Sequence, residues 1–302
     1  MPLSWAEPSG ATTLLRCAPS LRAVVSWNAP ASAEGRIELR GVHERERRST
    51  WFTLAAWKGG HRRSEGGHDH LLRLEVDELR AAEPLLGVEI RSDVPLDAIA
   101  LATPRGEGGA TARREDASGT LLAVPMRTQY VEIPFDLPLE LATTAHGWCS
   151  PASLGMLLDY NGIVRTLVDV AAGVFDEAYR GTGNWAFNAA YAGGFGLRAF
   201  VAYLDGIAHA ERFVAVGIPL ALSFSWGEGQ LRGAPRPQCD GHVAVLCGFD
   251  RDGDPVFNDP AQPELRAVYP RSAFERCWLA HGGVAYVVAA RARDDVVALA
   301  NA

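Results

Sequence analysis

The sequence has no apolar run long enough to cross a membrane and no excess of basic residues. A membrane-spanning helix needs about 20 consecutive apolar residues, and no segment of this chain comes near that length. With 36 acidic and 29 basic residues the formal net charge is −7, which gives no electrostatic attraction to nucleic acid. We therefore expect neither a membrane span nor a nucleic-acid partner. Because residues 1–7 lack the features of a secretory signal, we expect a cytoplasmic chain, or a secreted one if a signal has been removed.

Cysteine is also scarce. The chain has five cysteines, Cys17, Cys149, Cys239, Cys247 and Cys277, and no two of them form a CxxC pair. The odd number and irregular spacing disfavour a disulfide framework and a cysteine zinc site, and they leave at least one thiol free to react. No metal and no cofactor are expected.

Three histidines in the N-terminal half, His61, His68 and His70, lie close together in the sequence. A metal site is one interpretation of this group. A polar hairpin loop is the better one, because nothing in the sequence fixes the geometry that a metal would require.

A segment rich in glycine and charge divides the chain. At 302 residues the chain is long enough for two domains, and a hydrophobic content of 48% suffices for sizeable cores. Residues 104–119 contain few apolar side chains, a composition that is typical of an exposed linker. We predict an N-terminal domain at residues 1–105, a linker at 106–120 and a C-terminal domain at 121–302.

Short segments of alternating polarity predict β-strands in the N-terminal half. Glycine, proline and aspartate separate these segments, which indicates an antiparallel β-sandwich. Trp27, Trp51 and Trp57 are interpreted as core residues of the sandwich, with a face that binds a peptide or glycan as the alternative. The predicted strands are 36–42, 51–57, 71–76, 86–90 and 98–102.

The C-terminal half predicts helices first and a mostly antiparallel sheet afterwards, an α+β arrangement. Leu154, Leu157 and Leu158 have the spacing of one helix face. The predicted helices are 151–160, 166–179, 184–191, 205–216 and 272–279. The predicted strands are 197–204, 219–226, 242–250, 255–258, 265–269 and 284–291.

Cys149 stands at the predicted start of the first of these helices. Ser150 is a favourable N-cap, and Pro151 fits the first helical position. The positive end of the helix dipole favours a thiolate over a thiol, which is what a nucleophilic cysteine requires. A small buried apolar residue at a helix start is the alternative interpretation.

His242 and Asp259 are expected to lie side by side. His242 begins an apolar strand, and Asp259 ends the next strand. In an antiparallel hairpin the start of one strand lies beside the end of the next, so the carboxylate can orient the imidazole. Gln129 can donate its amide N–H to a developing oxyanion, together with the Cys149 backbone N–H. A capping histidine, a turn aspartate and a polar loop glutamine are the alternatives.

Four segments, taken in order, resemble the papain-like peptidases that cleave double-glycine leader peptides from bacteriocins. They resemble more closely the freestanding bacterial relatives of those enzymes, over roughly residues 122–291. The segments are Val-Pro-x-x-x-Gln at 124–129, Trp-Cys-x-Pro-Ala-Ser at 148–153, Gly-His at 241–242 before an apolar strand, and Asn-Asp-Pro-Ala at 258–261.

The resemblance implies a papain-like cysteine peptidase domain in which Cys149 is the nucleophile, His242 the base, Asp259 the orienting group and Gln129 the oxyanion donor. The implied activity is hydrolysis of a peptide or protein substrate through an acyl-enzyme. The alternatives are an acyl transferase that uses the same residues, and an inactive binding protein whose N-terminal half holds a peptide or glycan. The chain departs from the family pattern at Ser150, where glycine is frequent, and in a longer segment between Gln129 and Cys149.

Overall fold

The computed structural model describes residues 1–8, 10–105, 116–262 and 265–302. Most of the predicted linker, residues 106–115, lies outside the described residues. At its C-terminal end Ala117 is buried, and the Gly119 backbone N–H donates to the carbonyl of Asp250 at 2.8 Å. Residues 116–120 therefore pack against the C-terminal half.

The N-terminal half forms one antiparallel sheet within the described residues. In the order of pairing it runs β1-β9-β2-β8-β3-β4-β5, with β7 paired to β8 and β6 paired to β7. The predicted antiparallel strands are confirmed, whereas an arrangement as two separate sandwich sheets is not, because the long strands β2 and β8 connect the whole sheet. The strands are β1 (Leu3–Ala6), β2 (Thr13–Asn28), β3 (Gly35–Val42), β4 (Phe52–Lys58), β5 (His61–Arg63), β6 (Gly67–His68), β7 (Leu72–Glu75), β8 (Glu78–Ser92) and β9 (Ala98–Ala102).

The sequence patterns missed β1 and β2, and also the short strands β5 and β6. Strand β2 contains Pro19, and its pairing with β8 shifts register on both sides of Ser20. A proline removes a backbone donor, and each register shift changes which side chains face the core. The alternation that identifies a strand is therefore interrupted in the middle of the longest strand in the N-terminal sheet.

The C-terminal half is α+β, as predicted, with its helices first and a six-stranded antiparallel sheet among the described residues. The strand order is β10-β15-β11-β12-β13-β14. None of the described helices is both long enough and apolar enough to span a membrane. The elements are α1 (Leu139–Ala142), α2 (Cys149–Tyr160), α3 (Leu167–Val174), α4 (Trp185–Gly193), β10 (Arg198–Tyr203), α5 (Ile207–Ala215), β11 (Leu220–Trp226), β12 (Cys239–Phe249), β13 (Pro255–Asn258), β14 (Ala267–Val268), α6 (Arg271–Ala280), β15 (Val284–Ala289) and α7 (Asp295–Asn301).

Two predicted helix boundaries differ from the structure. Helix α3 ends at Val174, well before the predicted end at residue 179, because Asp176 pairs with Gly181 in a turn. Helix α2 starts at Cys149, with Trp148 in the N-cap position and Pro151 as the third helical residue. The predictions of Ser150 as N-cap and of Pro151 as the first helical residue are therefore wrong.

The two halves of the chain share apolar packing. Leu3, Val24 and Ala100 belong to the same buried cluster as the C-terminal sheet and helices. The Asn28 side chain joins β2 to β10, donating to the Ala199 carbonyl at 2.8 Å and accepting from the Ala199 N–H at 3.3 Å. The N-terminal sheet is thus in a position to form part of a site built mainly by the C-terminal half.

Gly248 should be intolerant of a side chain. It lies at a register shift in β12, and a Cβ added there would come within 2.0 Å of the Thr120 carbonyl oxygen. We expect Gly248→Ala to lower the free energy of unfolding by about 1–3 kcal/mol, measured by urea denaturation. Gly241→Ala in the same strand is the matched control, because its Cβ would meet no atom within 4 Å. Equal stability of the two variants would contradict the prediction.

Candidate active site

Cys149 is half-buried at the start of α2 and lines a cleft of about 580 Å³. Both halves of the chain form the cleft walls, since Val76 and Asp77 lie in the turn between β7 and β8. The Asp77 carboxylate accepts a hydrogen bond from the Trp185 backbone N–H and so binds the first residue of α4. Burial raises the pKa of Asp77 to about 7.

His242 and Asp259 are in direct contact, as the hairpin argument predicts. The His242 Nε2 lies 2.8 Å from Asp259 Oδ1. Asp259 is fully buried and follows the last residue of β13. Its Oδ1 also accepts from the Ala261 N–H at 2.9 Å, and its Oδ2 accepts from the Tyr269 hydroxyl at 2.7 Å. Although burial raises the pKa of Asp259, the hydrogen bond and charge of His242 outweigh it, so that this pKa lies below its ordinary value.

The other side of the His242 ring faces Cys149, and each group shifts the pKa of the other. Burial opposes a charge on both. Hydrogen bonding and charge from His242 nevertheless hold the pKa of the Cys149 thiol below its usual value. Hydrogen bonds to Asp259 and Cys149 raise the pKa of His242 to about 10. These opposite shifts favour a thiolate beside an imidazolium at neutral pH.

Two aromatic rings hold the imidazole from β11. The ring centroids of Phe224 and Trp226 lie 5.4 Å and 5.6 Å from that of His242, and both pairs meet edge to face. His242 is the fourth residue of β12, where its register partner across the sheet is Phe224. The sequence prediction placed His242 at the first position of this strand, but the strand begins earlier, at Cys239.

Gln129 lies in the same cleft and is buried. Its Nε2 donates to the His146 carbonyl at 3.3 Å, and its backbone N–H donates to the Pro260 carbonyl at 2.9 Å. The second bond connects it to the segment that follows Asp259. The Gln129 Oε1 has no hydrogen-bond partner among the described residues. The structure therefore brings Cys149, His242 and Gln129 to one cleft, with Asp259 buried against His242.

Sequence reasoning missed the buried groups that form hydrogen bonds with Asp259 and Ser150. Tyr269 donates its hydroxyl hydrogen bond to Asp259. The Ser150 hydroxyl lies 3.0 Å from the Tyr286 hydroxyl and donates to Asn188 Oδ1 at 3.1 Å. Isolated tyrosines and asparagines in predicted strands and helices carry no local signal of such contacts. These hydrogen bonds anchor Ser150, the residue that follows Cys149, to the sheet and to α4.

Removal of the Tyr269 hydroxyl should weaken the buried site. Tyr269→Phe leaves one carboxylate oxygen of Asp259 without its donor, and a hydrogen bond to a charged group contributes about 1.5–3 kcal/mol. We expect a loss of that size in the free energy of unfolding, measured in urea. Tyr160→Phe is the control, because its hydroxyl donates to the neutral Gly217 carbonyl at 2.9 Å. A loss no larger than that of the control would contradict a charged Asp259.

His61 and His68 lie on the short strands β5 and β6, within the segment predicted to be a polar hairpin loop. His61 contacts Glu177, and the part of the chain that the structure describes contains no group of three or more His, Cys, Asp or Glu side chains that could hold a metal ion. The five cysteines are all free thiols.

Comparison with known proteins identifies the family of the chain. The model of the Peptidase C39-like family matches residues 121–286, more than half of the sequence. The chain therefore belongs to this family, which confirms the resemblance seen in its sequence motifs. A solved structure from Bacillus anthracis, described as that of a candidate C39-like peptidase, has 19% sequence identity and a TM-score of 0.43, and the match covers 57% of this chain and 98% of that one. No curated protein matches the chain.

Proposed function

We propose that this chain is a cysteine peptidase in which Cys149 and His242 carry out the chemistry, Asp259 orients His242, and Gln129 helps to stabilise the oxyanion. The observation that carries the proposal is the position of His242. One of its ring nitrogens binds a buried carboxylate, and the ring contacts the Cys149 thiol and lowers its pKa. Membership in a peptidase family supports the same reaction class.

The first half of the reaction forms an acyl-enzyme. The Cys149 Sγ attacks the carbonyl carbon of the scissile amide, and the electron pair of the C=O bond moves to the oxygen. When the tetrahedral intermediate collapses, the C–N bond breaks, and the leaving amine takes a proton from the His242 imidazolium. Asp259 keeps the ring in the required tautomer, because the Nε2 proton remains in its hydrogen bond.

The second half regenerates the thiolate. Neutral His242 removes a proton from water, the resulting hydroxide attacks the thioester carbonyl, and Cys149 leaves as the thiolate. In both halves the oxyanion accepts hydrogen bonds from the Cys149 backbone N–H at the start of α2 and from the Gln129 amide. One N–H of that amide is bound to His146, which leaves the other for the oxyanion.

Cysteine alkylation tests the proposal with internal controls. Burial raises the pKa of Cys17 to about 11 and that of Cys247 to about 12, and it raises the pKa of Cys277 as well. At pH 7 we expect iodoacetamide to label Cys149 at least about tenfold faster than these three thiols, because the thiolate is the reactive form. Mass spectrometry of the labelled peptides measures each site.

Labelling that requires alkaline pH at Cys149 would contradict the activated thiol and would favour a binding protein on a peptidase scaffold. If the labelling is fast, the products of peptide hydrolysis are analysed next, in the presence and absence of an added amine. A free carboxylate product identifies hydrolysis, whereas an amide formed with the added amine identifies acyl transfer.

A further inference from the structure

A second cavity, of about 90 Å³, lies between the N-terminal sheet and α4, and it shares no lining residue with the cleft at Cys149. Its walls are largely aromatic. The Trp27 and Trp57 rings are stacked with centroids 6.0 Å apart, and Tyr191 meets Phe195 edge to face at 5.1 Å. We call this cavity the tryptophan pocket; it is formed mainly by Trp27, Trp57, Arg62, Phe187, Tyr191 and Phe195.

Arg62 is the one charged residue that lines the tryptophan pocket. It lies on β5 directly opposite Trp57 on β4, so the two side chains share a face of the sheet. Its guanidinium donates to the Gly60 carbonyl at 3.3 Å, and no carboxylate of the described residues lies within ion-pair distance of it. Burial lowers the pKa of Arg62, and the opposing contribution of Tyr191 does not outweigh the loss of water around the cation.

Two carboxylates and a second arginine lie near the pocket, and neither carboxylate forms an ion pair with Arg62 among the described residues. Glu177 is engaged by His61, and Asp169 accepts from the Thr166 backbone N–H at the start of α3. A second arginine, Arg165, lies 4.9 Å from the centre of the Phe195 ring and adds positive charge. The charge on the pocket lining itself is therefore positive, and an aromatic pocket with a cation in its wall is complementary to an apolar anion.

We propose that the tryptophan pocket binds a carboxylate that carries an apolar group about the size of a phenyl ring or a leucine side chain. The planar guanidinium of Arg62 can hold both oxygens of a carboxylate, and the aromatic walls bury the attached group. The small volume limits the buried part to one such group. The C-terminal residue of a peptide and a free aromatic or branched acid share this chemistry.

The test measures binding of N-acetyl-L-phenylalanine to the full chain by titration calorimetry, with N-acetyl-L-phenylalanine amide as the uncharged probe. We expect the acid to bind at least about tenfold more tightly than the amide, and Arg62→Gln to remove this difference. Arg63→Gln is the matched control. Arg63 is the next residue of β5, is exposed, and lies on the opposite face of the strand.

A third probe, 3-phenylpropionate, distinguishes the two sources. If 3-phenylpropionate binds as tightly as N-acetyl-L-phenylalanine, a free acid is sufficient as the ligand. If 3-phenylpropionate binds more weakly, the ligand is the C-terminal residue of a peptide. No detectable binding of either acid, equal binding of acid and amide, or unchanged binding in Arg62→Gln would each overturn the proposal. Circular dichroism shows that the variants are folded. None of these outcomes depends on the activity of Cys149, because that residue lies in the other cavity.

Discussion

Replacement of Cys149 by alanine should leave a folded protein that no longer hydrolyses peptides. The substitution removes the nucleophile but only a single sulfur atom, at a half-buried position. Loss of the nucleophile of a catalytic triad lowers kcat by about a thousandfold or much more, because the remaining groups have nothing to activate. The measurement is kcat on a peptide substrate that the unmodified chain cleaves, combined with a thermal unfolding curve to show that the fold is retained.

Cys239→Ala provides the matched control for this experiment. Cys239 lines the same cleft and is also a half-buried thiol, but it lies at the start of β12, and His242 has no hydrogen bond with it. We expect this variant to retain most of the hydrolytic activity. Undiminished hydrolysis by Cys149→Ala would reject Cys149 as the nucleophile. Equal losses in both variants would indicate that the cleft depends on its thiols for shape rather than for chemistry.

Replacement of His242 by alanine should abolish hydrolysis and also raise the pKa of Cys149. Burial raises the thiol pKa, and the hydrogen bond and charge of His242, with a smaller contribution from the Val243 backbone, outweigh it. Without the imidazole the pH midpoint of iodoacetamide labelling at Cys149 should move above the value of about 8.5 that is typical of a free cysteine. Rate constants of labelling between neutral and alkaline pH measure this shift.

The sign of the pH effect follows from the two shifts. In the unmodified chain the thiolate is present at pH values below the ordinary thiol pKa, and His242 keeps its proton until about pH 10. Hydrolysis should therefore fall as the pH rises through about 10, where the imidazolium that protonates the leaving amine is lost.

His281→Ala is the control for the labelling experiment. His281 lines the same cleft and its pKa is lowered, but the hydrogen bond that lowers the thiol pKa comes from His242. An unchanged labelling midpoint in His242→Ala would contradict the pairing of the Cys149 thiolate with the His242 imidazolium.

Much of the site could be predicted because its signals are local. The apolar spacing around Leu154 identifies the α2 helix, and a helix start beside Cys149 follows from Pro151. His242 and Asp259 lie on neighbouring strands joined by a short turn, so hairpin geometry alone brings them together. These contacts depend on residues that are close in sequence, where periodicity and turn chemistry determine the structure.

Other parts of the site depend on residues that are distant in sequence. Asp77 reaches the cleft from the N-terminal sheet and caps α4, and Ser150 makes buried hydrogen bonds to Tyr286 instead of capping its own helix. Strand β2 escaped prediction because Pro19 interrupts its pattern. No local rule selects which polar group a buried hydroxyl or carboxylate will meet.

The sequence by itself determined the α+β class of the C-terminal half, the family, and three residues that line the cleft together with the buried aspartate that contacts one of them. Only the tertiary structure decided that the N-terminal strands form one continuous sheet, that this sheet supplies a wall of the cleft, and that Arg62 lies among aromatic rings with no ion-paired carboxylate in the part of the chain that the structure describes. The physical reason is that helices and hairpins are set by spacing along the chain. Packing between the two halves is set instead by shape and burial, which satisfy all the buried groups at once.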